Sequence, residues 1–354
     1  MRDFSSAMAA TTLTPSYIND QFRRLAREAQ FSEGDVEALE AYAKKLEDNK
    51  VPVIFDVNHL SKLLGYEITL LYAISNAPNK FYRTFTIPKK NGAPRKISEP
   101  LPTLKQMQRY ILDNILAKVG ISKAAKAFRT NSSIKKNARI HLRQPIIIKF
   151  DIKDFFPSIK RWRVFSLFFE FGYTSQLSML LSRMCCLNDC LPQGAPTSPA
   201  LANIVCRSLD HDLLEYCLQN GLRYTRYADD ITISGQVVNT ALIRNVRHIV
   251  KCHFFELNES KTSVLRGGAK KIVTGIVVNE RMQSPRDLRR EFRKNVFFIR
   301  KYGIDGHLRK IRETRKNYLL HLIGIGEFIR WADRTNMAVI RDLIFLNSLR
   351  SSQS

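Results

Sequence analysis

Asp229 and Asp230 stand side by side in the stretch RYADDITIS (226–234), between residues that favour strands. Two adjacent like charges in an apolar run are costly unless something neutralises them. Successive strand residues point to opposite faces, so a straight strand would not aim both at one place, whereas a hairpin turn would. A third carboxylate, Asp151, lies at the end of the apolar run IIIKFDI (146–152). With that run beside the hairpin, three carboxylates converge at one end of a sheet, and one of them is pushed to protonate. A pair of divalent cations removes the conflict. Mg²⁺ takes hard oxygen ligands, one or two carboxylates plus substrate phosphates. Two such ions about 4 Å apart activate an attacking hydroxyl and stabilise a leaving phosphate. Taken singly, Asp229-Asp230 reads as a solvated turn and Asp151 as a helix cap. The surrounding segments shift the balance.

Those segments must form the elements that carry the acids. IIIKFDI is short and continuously apolar, the pattern of a strand buried on both faces. LRYTRYADDITIS (222–234) reads as strand, tight turn, strand. Further strands fit 262–266 and 271–278. Upstream, FYRTFTIP (81–88) and APRKISEP (93–100) flank Asn91-Gly92 as a β-hairpin whose tip and arms bear Lys89, Lys90, Arg95 and Lys96. Helices fit 57–64, 67–76, 103–118, 161–171, 174–187, 198–219 and 240–254, with the Pro- and Gly-rich loop LPQGAPTSP (191–199) ahead of the sixth. Thr14-Pro15 opens a helix, and Ser32 with Asp35 resembles a capping box for another through Leu46. From Pro285 onward everything reads as helical and basic.

The chain has 354 residues, 44% of them apolar, which supports two or three packed domains. Its formal charge is +25. Residues 1–50 carry seven Lys/Arg against nine Asp/Glu, so the excess lies in the remainder. Such an imbalance points to a polyanionic partner, nucleic acid first. No run of about 20 apolar residues predicts a membrane-spanning helix. The opening MRDFSSAMAATTL makes a poor signal peptide. The six cysteines (Cys185, Cys186, Cys190, Cys206, Cys217, Cys252) lack CxxC pairs and zinc spacing, so reduced, buried thiols in a cytoplasmic protein are expected.

Asp151, LPQGAPTSP and YADD occur in the order and spacing of reverse transcriptases. FDIKDFFPSI resembles the first catalytic palm motif, RYADD the second, LNESKTSVL (257–265) the next, and IPKKNGAPRKI the fingers motif that grips a triphosphate. Within that superfamily, NARIH (137–141) and VTG (273–275) resemble the NAxxH and VTG marks of retron reverse transcriptases. The resemblance implies an α+β right-hand polymerase fold. Its parts are a helical N-terminal region (1–78), fingers with part of the palm (79–145), an antiparallel-sheet palm with the catalytic aspartates (146–282) and a basic helical thumb (283–354).

It implies that Asp151 and Asp229 ligate two Mg²⁺ ions, with Asp230 close by and the backbone of Ile152 adding an oxygen. It also implies that Lys89 or Lys90, with Arg95, clamps the triphosphate, that Phe156 is the steric gate excluding a 2′-hydroxyl, that Gln193 lines the nucleotide pocket, and that Lys261 assists pyrophosphate departure. Asn137, Ala138 and His141, with Val273, Thr274 and Gly275, would recognise a cognate structured noncoding RNA serving as template and primer. The product implied is branched, RNA-linked single-stranded DNA made from dNTPs, in anti-phage defence with an effector protein. From the residues alone a core ring is the commoner fate of Phe156, Asn137 reads equally as a turn cap, His141 as packed near the active site, VTG as a strand with a Gly bulge, and the thumb aromatics as packing. Two alternatives stand beside this assignment: another bacterial reverse transcriptase (group II intron-like, diversity-generating or abortive-infection), and a non-catalytic RNA-binding scaffold.

Overall fold

The structure is a computed structural model that describes Arg23 and residues 31–88, 92–237 and 240–351. The helix expected from Thr14, and the hairpin-tip residues Lys89, Lys90 and Asn91, lie outside the described residues. In chain order the elements are α1 (Glu33–Asp48), α2 (Val57–Leu64), α3 (Ile68–Asn76), β1 (Tyr82–Pro88), β2 (Pro94–Pro100), α4 (Pro102–Tyr110), α5 (Ile134–Ile140), β3 (Ile146–Asp151) and α6 (Phe155–Ser158). There follow α7 (Arg161–Glu170), α8 (Ser175–Cys185), α9 (Ser198–Val205), α10 (Arg207–Gln219), β4 (Arg223–Tyr227), β5 (Asp230–Gly235) and α11 (Thr240–Cys252). The last are β6 (Ser263–Leu265), β7 (Ile272–Val273), β8 (Ile276–Val277), α12 (Arg286–Ile311), α13 (Tyr318–Ala332) and α14 (Met337–Ser351). No helix among the described residues is long and apolar enough to cross a membrane.

The chain divides into two compact units that interleave along the sequence. They do not coincide with the four consecutive segments expected. The first comprises Met1–Phe128, Ile152–Asp212 and Val246–Leu257. Within it, the Ser32 hydroxyl accepts from the Asp35 amide at the start of α1, as the capping box required. The β1–β2 hairpin pairs from Tyr82 opposite Pro100 to Pro88 opposite Pro94. The LPQGAP loop is tied to it: the Ser98 amide donates to the Gln193 carbonyl at 2.7 Å.

The second unit comprises Arg129–Asp151, Leu213–Asn245 and Asn258–Ser354. Its centre is a four-stranded antiparallel sheet in the order β4-β5-β3-β6. Successive residues Ile147 and Ile148 of β3 are both buried, as are Ile231 to Ser234 of β5. The middle strands are therefore covered on both faces, which is why β3 is apolar without alternation. Phe292, Val296, Leu322, Ile329, Leu343 and Leu346 form the core shared by α12, α13 and α14.

Three expectations change. The single helix at 198–219 breaks at Cys206, whose φ of −82° and ψ of 5° leave helical geometry. The strand at 271–278 is instead a tight hairpin, with Thr274 (φ 45°) and Gly275 (φ 82°) in the left-handed region, the signature of a type I′ turn. Among the cysteines, Cys190 is only half-buried and Cys252 is exposed.

Candidate active site

The β4–β5 hairpin has a two-residue loop. Tyr227 pairs with Asp230, leaving Ala228 and Asp229 as the turn. Ala228 has a φ of 57°, an uncommon conformation for a residue with a Cβ. Arg226, fully buried, donates from Nη1 to the Ala228 carbonyl at 3.1 Å and so braces the turn from beneath. The turn frees Asp229 from strict alternation. On the neighbouring strand, Asp151 stands opposite Asp230 in register. The Asn258 amide donates to the Asp151 carbonyl at 2.7 Å and fixes the backbone where β3 ends.

Charge in this cluster is under stress. Burial, followed by the charge of Asp230, pushes the Asp229 carboxyl above its ordinary range. Burial likewise raises Asp230, against the opposing charge of Lys149. Lys261 answers the third acid: its ammonium donates to both carboxylate oxygens of Asp151, at 2.8 and 3.0 Å. That bond, with the charges of all three aspartates, raises the Lys261 pKa. Among the described residues no group of three His, Cys, Asp or Glu side chains closes around a common point as a finished metal cage. The donor set still fits a hard divalent cation, since the acids here are oxygen ligands short of positive charge.

Ile152 is buried and forms an isolated antiparallel bridge with Leu257. The flanking bonds are Lys153 amide to Glu256 carbonyl and Asn258 amide to Asp151 carbonyl. In such a pair the residue's own carbonyl points away from its partner, so that of Ile152 is turned away from Leu257.

In the first unit, Phe156 is half-buried and contacts Phe128 and Phe155, with ring centroids 6.1 and 5.4 Å apart. Gln193 is half-buried, its backbone held by Ser98. Gly194 (φ 127°) follows it, and a Cβ there would sit 2.7 Å from the Ser98 carbonyl oxygen. Arg95 is exposed on β2.

The NARIH and VTG segments meet inside the second unit. Thr274 Oγ1 donates to the Ile134 carbonyl at 3.1 Å and accepts from Asn137 Nδ2 at 3.4 Å. Ala138 and Val273 share a buried cluster with Ile147 and Ile276. His141 lies between the β-strands, its ring nitrogens 2.7 Å from Ser234 Oγ and 2.8 Å from Thr225 Oγ1. Burial pushes its pKa down to about 3. Asn137, Ala138 and His141 are all fully buried, so their side chains do not present edges for an RNA to read. Asn137 and Ala138 instead hold the β7–β8 turn, where Gly275 is exposed, and His141, just past the end of α5, bonds to β4 and β5. The packed alternative for His141 is the one observed, whereas sequence reasoning missed Arg226 and Asn258 as braces. No hydropathy signal marks a polar residue that turns inward: His141 is bonded at both ring nitrogens, while Asn137 Oδ1 is buried without a partner among the described residues.

The family described as reverse transcriptase (RNA-dependent DNA polymerase) matches residues 87–305. The chain is 33% identical over 260 residues to the retron Ec86 reverse transcriptase of Escherichia coli, covering 72% of this chain and 81% of that one. It is 33% identical to the retron Mx162 reverse transcriptase of Myxococcus xanthus and 36% to that of retron Mx65, spanning 63% and 62% of their lengths. Among solved structures, telomerase from Candida albicans with a telomeric RNA fragment superposes with a TM-score of 0.43 at 11% identity, over 75% of this chain and 61% of that one.

Proposed function

We propose, for a chain that belongs to the retron reverse transcriptases and is an RNA-directed DNA polymerase, that Asp151, Asp229 and Asp230 carry nucleotidyl transfer on a partner noncoding RNA. The observation that supports this most is the register that sets Asp151 opposite Asp230, with Asp229 in the adjoining turn. In the reaction a hydroxyl oxygen of the growing end attacks the α-phosphorus of a dNTP, and the bond to pyrophosphate breaks. The family uses divalent metal ions. Two Mg²⁺ ions held by Asp151, Asp229 and the carbonyl of Ile152, with Asp230 close by, would lower the pKa of the attacking hydroxyl and neutralise the leaving group. Lys261, which pairs with Asp151, would give a proton to the departing pyrophosphate. Arg95, with Lys89 or Lys90, would hold the triphosphate, since a guanidinium grips phosphate through paired donors. Gln193 would line the nucleotide pocket. Phe156 would stand under the sugar and exclude a 2′-hydroxyl.

Priming from a 2′-hydroxyl of the RNA, with a branched RNA–DNA product, is proposed from the relatives' kind, as is a defence role with an effector. For RNA recognition we assign the exposed Gly275 turn, with Asn137, Ala138, Val273 and Thr274 as its support and His141 behind them, held on β4 and β5. Incubating the purified protein with a primed RNA template, dNTPs and Mg²⁺ tests the assignment. Extension is expected, reduced at least 10²–10³-fold in Asp229→Asn. No extension there, or with co-expressed partner RNA, would leave only an RNA-binding scaffold. Sequencing nucleic acid that co-purifies with the protein tests the branch: RNA covalently joined to short DNA is expected.

A further inference from the structure

The first unit carries a second concave site that shares no residue with the machinery above. It is a cavity of about 210 Å³ lined by Trp162, Arg163, Glu170, Arg207, Ser208 and Phe254 among others. Its aromatic wall is exposed: Trp162 is 50% and Phe254 67% accessible, their rings edge to face at 5.5 Å. The Arg163 guanidinium lies 4.6 Å from the Phe255 ring centre and 5.9 Å from that of Phe254. Its Nη1 is buried without a hydrogen-bond partner. Among the described residues no carboxylate pairs with Arg163 or Arg207. Glu170 offsets one of these charges, and the neighbouring His253 is engaged by Asp212 at 2.7 Å. Arg163, Arg207 and Glu170 of the lining sum to one positive charge, with the Asp212 carboxylate turned to His253.

The backbone at Phe254 makes the site stand out. The Phe255 amide donates to the Val250 carbonyl and the Phe254 amide to that of Lys251. This is the Schellman ending of α11, and Phe254 occupies its left-handed position at φ 61°. Glycine belongs there, because a Cβ in that conformation crowds the following carbonyl oxygen. Phe254 bears this strain while most of its ring stays in water, so burial does not offset it. A strained, exposed ring beside an exposed Trp and two arginines without acidic partners is the chemistry of base stacking coupled to phosphate binding.

We infer that this cavity captures one unpaired nucleotide of the RNA partner, its base against Trp162 and Phe254 and its phosphate on Arg207 and Arg163. The inference rests on the RNA-partner reading above but not on catalysis. The chain has two tryptophans, so Trp331→Phe leaves Trp162 as the sole reporter. A short single-stranded adenosine oligoribonucleotide is expected to quench it. Phe254→Gly and Arg207→Ala are each expected to weaken that binding about tenfold, the loss expected for one stacked base or one phosphate contact. Phe254→Gly is also expected to keep or raise Tm, because glycine relieves the cap. Both variants should extend a pre-annealed primer normally; absent extension in the parent protein strikes the polymerase assignment alone. Unchanged RNA affinity in both variants overturns the nucleotide site alone. So does a drop in Tm with Phe254→Gly, which makes the ring structural, or quenching by an acidic peptide with none by RNA, which makes the occupant a protein.

Discussion

Lys261 and His141 show how one side chain's charge state bears on the whole site. Lys261 donates to both oxygens of Asp151, so it stands in for positive charge among three acids. Lys261→Met leaves the acids in place and removes the competing ammonium. Their mutual repulsion then falls on any cation that enters, and Mn²⁺ affinity, read by electron paramagnetic resonance, is expected to rise several-fold while extension slows. Equal affinity in the two proteins would show that the ion pair does not compete. His141 titrates near 6.5 in an unfolded chain, whereas burial holds it at about 3 in the fold. Its contribution to stability is therefore complete above pH 6.5. It is lost progressively as pH falls from 6.5 toward 3, because the unfolded chain takes up the proton first. The span is on the order of 3–5 kcal/mol. His141→Gln cannot titrate, so its Tm is expected to be lower at pH 7 and to vary less between pH 6.5 and 4. Parallel Tm-against-pH curves for the two proteins would contradict this.

At the scale of elements, short turns set the site. The Asn137–Thr274 contact joins α5 to the β7–β8 turn, and the two side chains should be energetically coupled. A double-mutant cycle of Asn137→Ala and Thr274→Val in denaturant unfolding is expected to give about 0.5–1.5 kcal/mol, and additivity would deny the clasp. In the LPQGAP loop, Gly194 has a positive φ and faces the Ser98 carbonyl. Gly194→Ala meets backbone that cannot yield, so a loss of about 1–3 kcal/mol is expected by the same method.

The sheet and its acids were legible in the sequence. β3 is a continuous apolar run and YADD a two-residue loop, both readable locally, whereas the pairing of β3 with β5 that sets Asp151 opposite Asp230 was only a condition of the sequence reading. The β7–β8 hairpin was not legible, since two-residue strands are too short to show a period. A packed His141 could be read from the sequence but not its partners, the hydroxyls of Ser234 and Thr225 from distant segments; nor could the inward turn of Asn137, whose amide reaches Thr274 while its Oδ1 stays buried without a partner among the described residues. The left-handed cap at Phe254 was hidden for the opposite reason, because a sequence reading looks for glycine there.

At the scale of the molecule, charge and topology divide the work. The antiparallel sheet draws its strands from distant segments, so the two units interleave where a linear reading sees consecutive parts. The C-terminal helices are basic: residues 285–350 hold sixteen Lys/Arg against seven Asp/Glu. Part of this charge is ordered for a purpose. Arg286, Arg290 and Lys294 recur every four residues along α12 and therefore share one helical face. All three are exposed, and no acidic partner is paired with them among the described residues. Phe292, between them in sequence, is buried in the core with α13 and α14, so the helix is anchored by one side and charged on another. Such a stripe would track the phosphates of an RNA–DNA duplex without reading its bases. Arg290→Ala and Lys294→Ala are each expected to weaken duplex binding to the same degree whatever the sequence. Each should also lower the slope of log affinity against log salt by about 0.9, the counterions released at one phosphate contact. Because these residues are exposed, Tm should stay within about 0.5 kcal/mol equivalent of the parent. An unchanged salt slope in both variants would place the duplex on another face and leave the stripe as solvated charge.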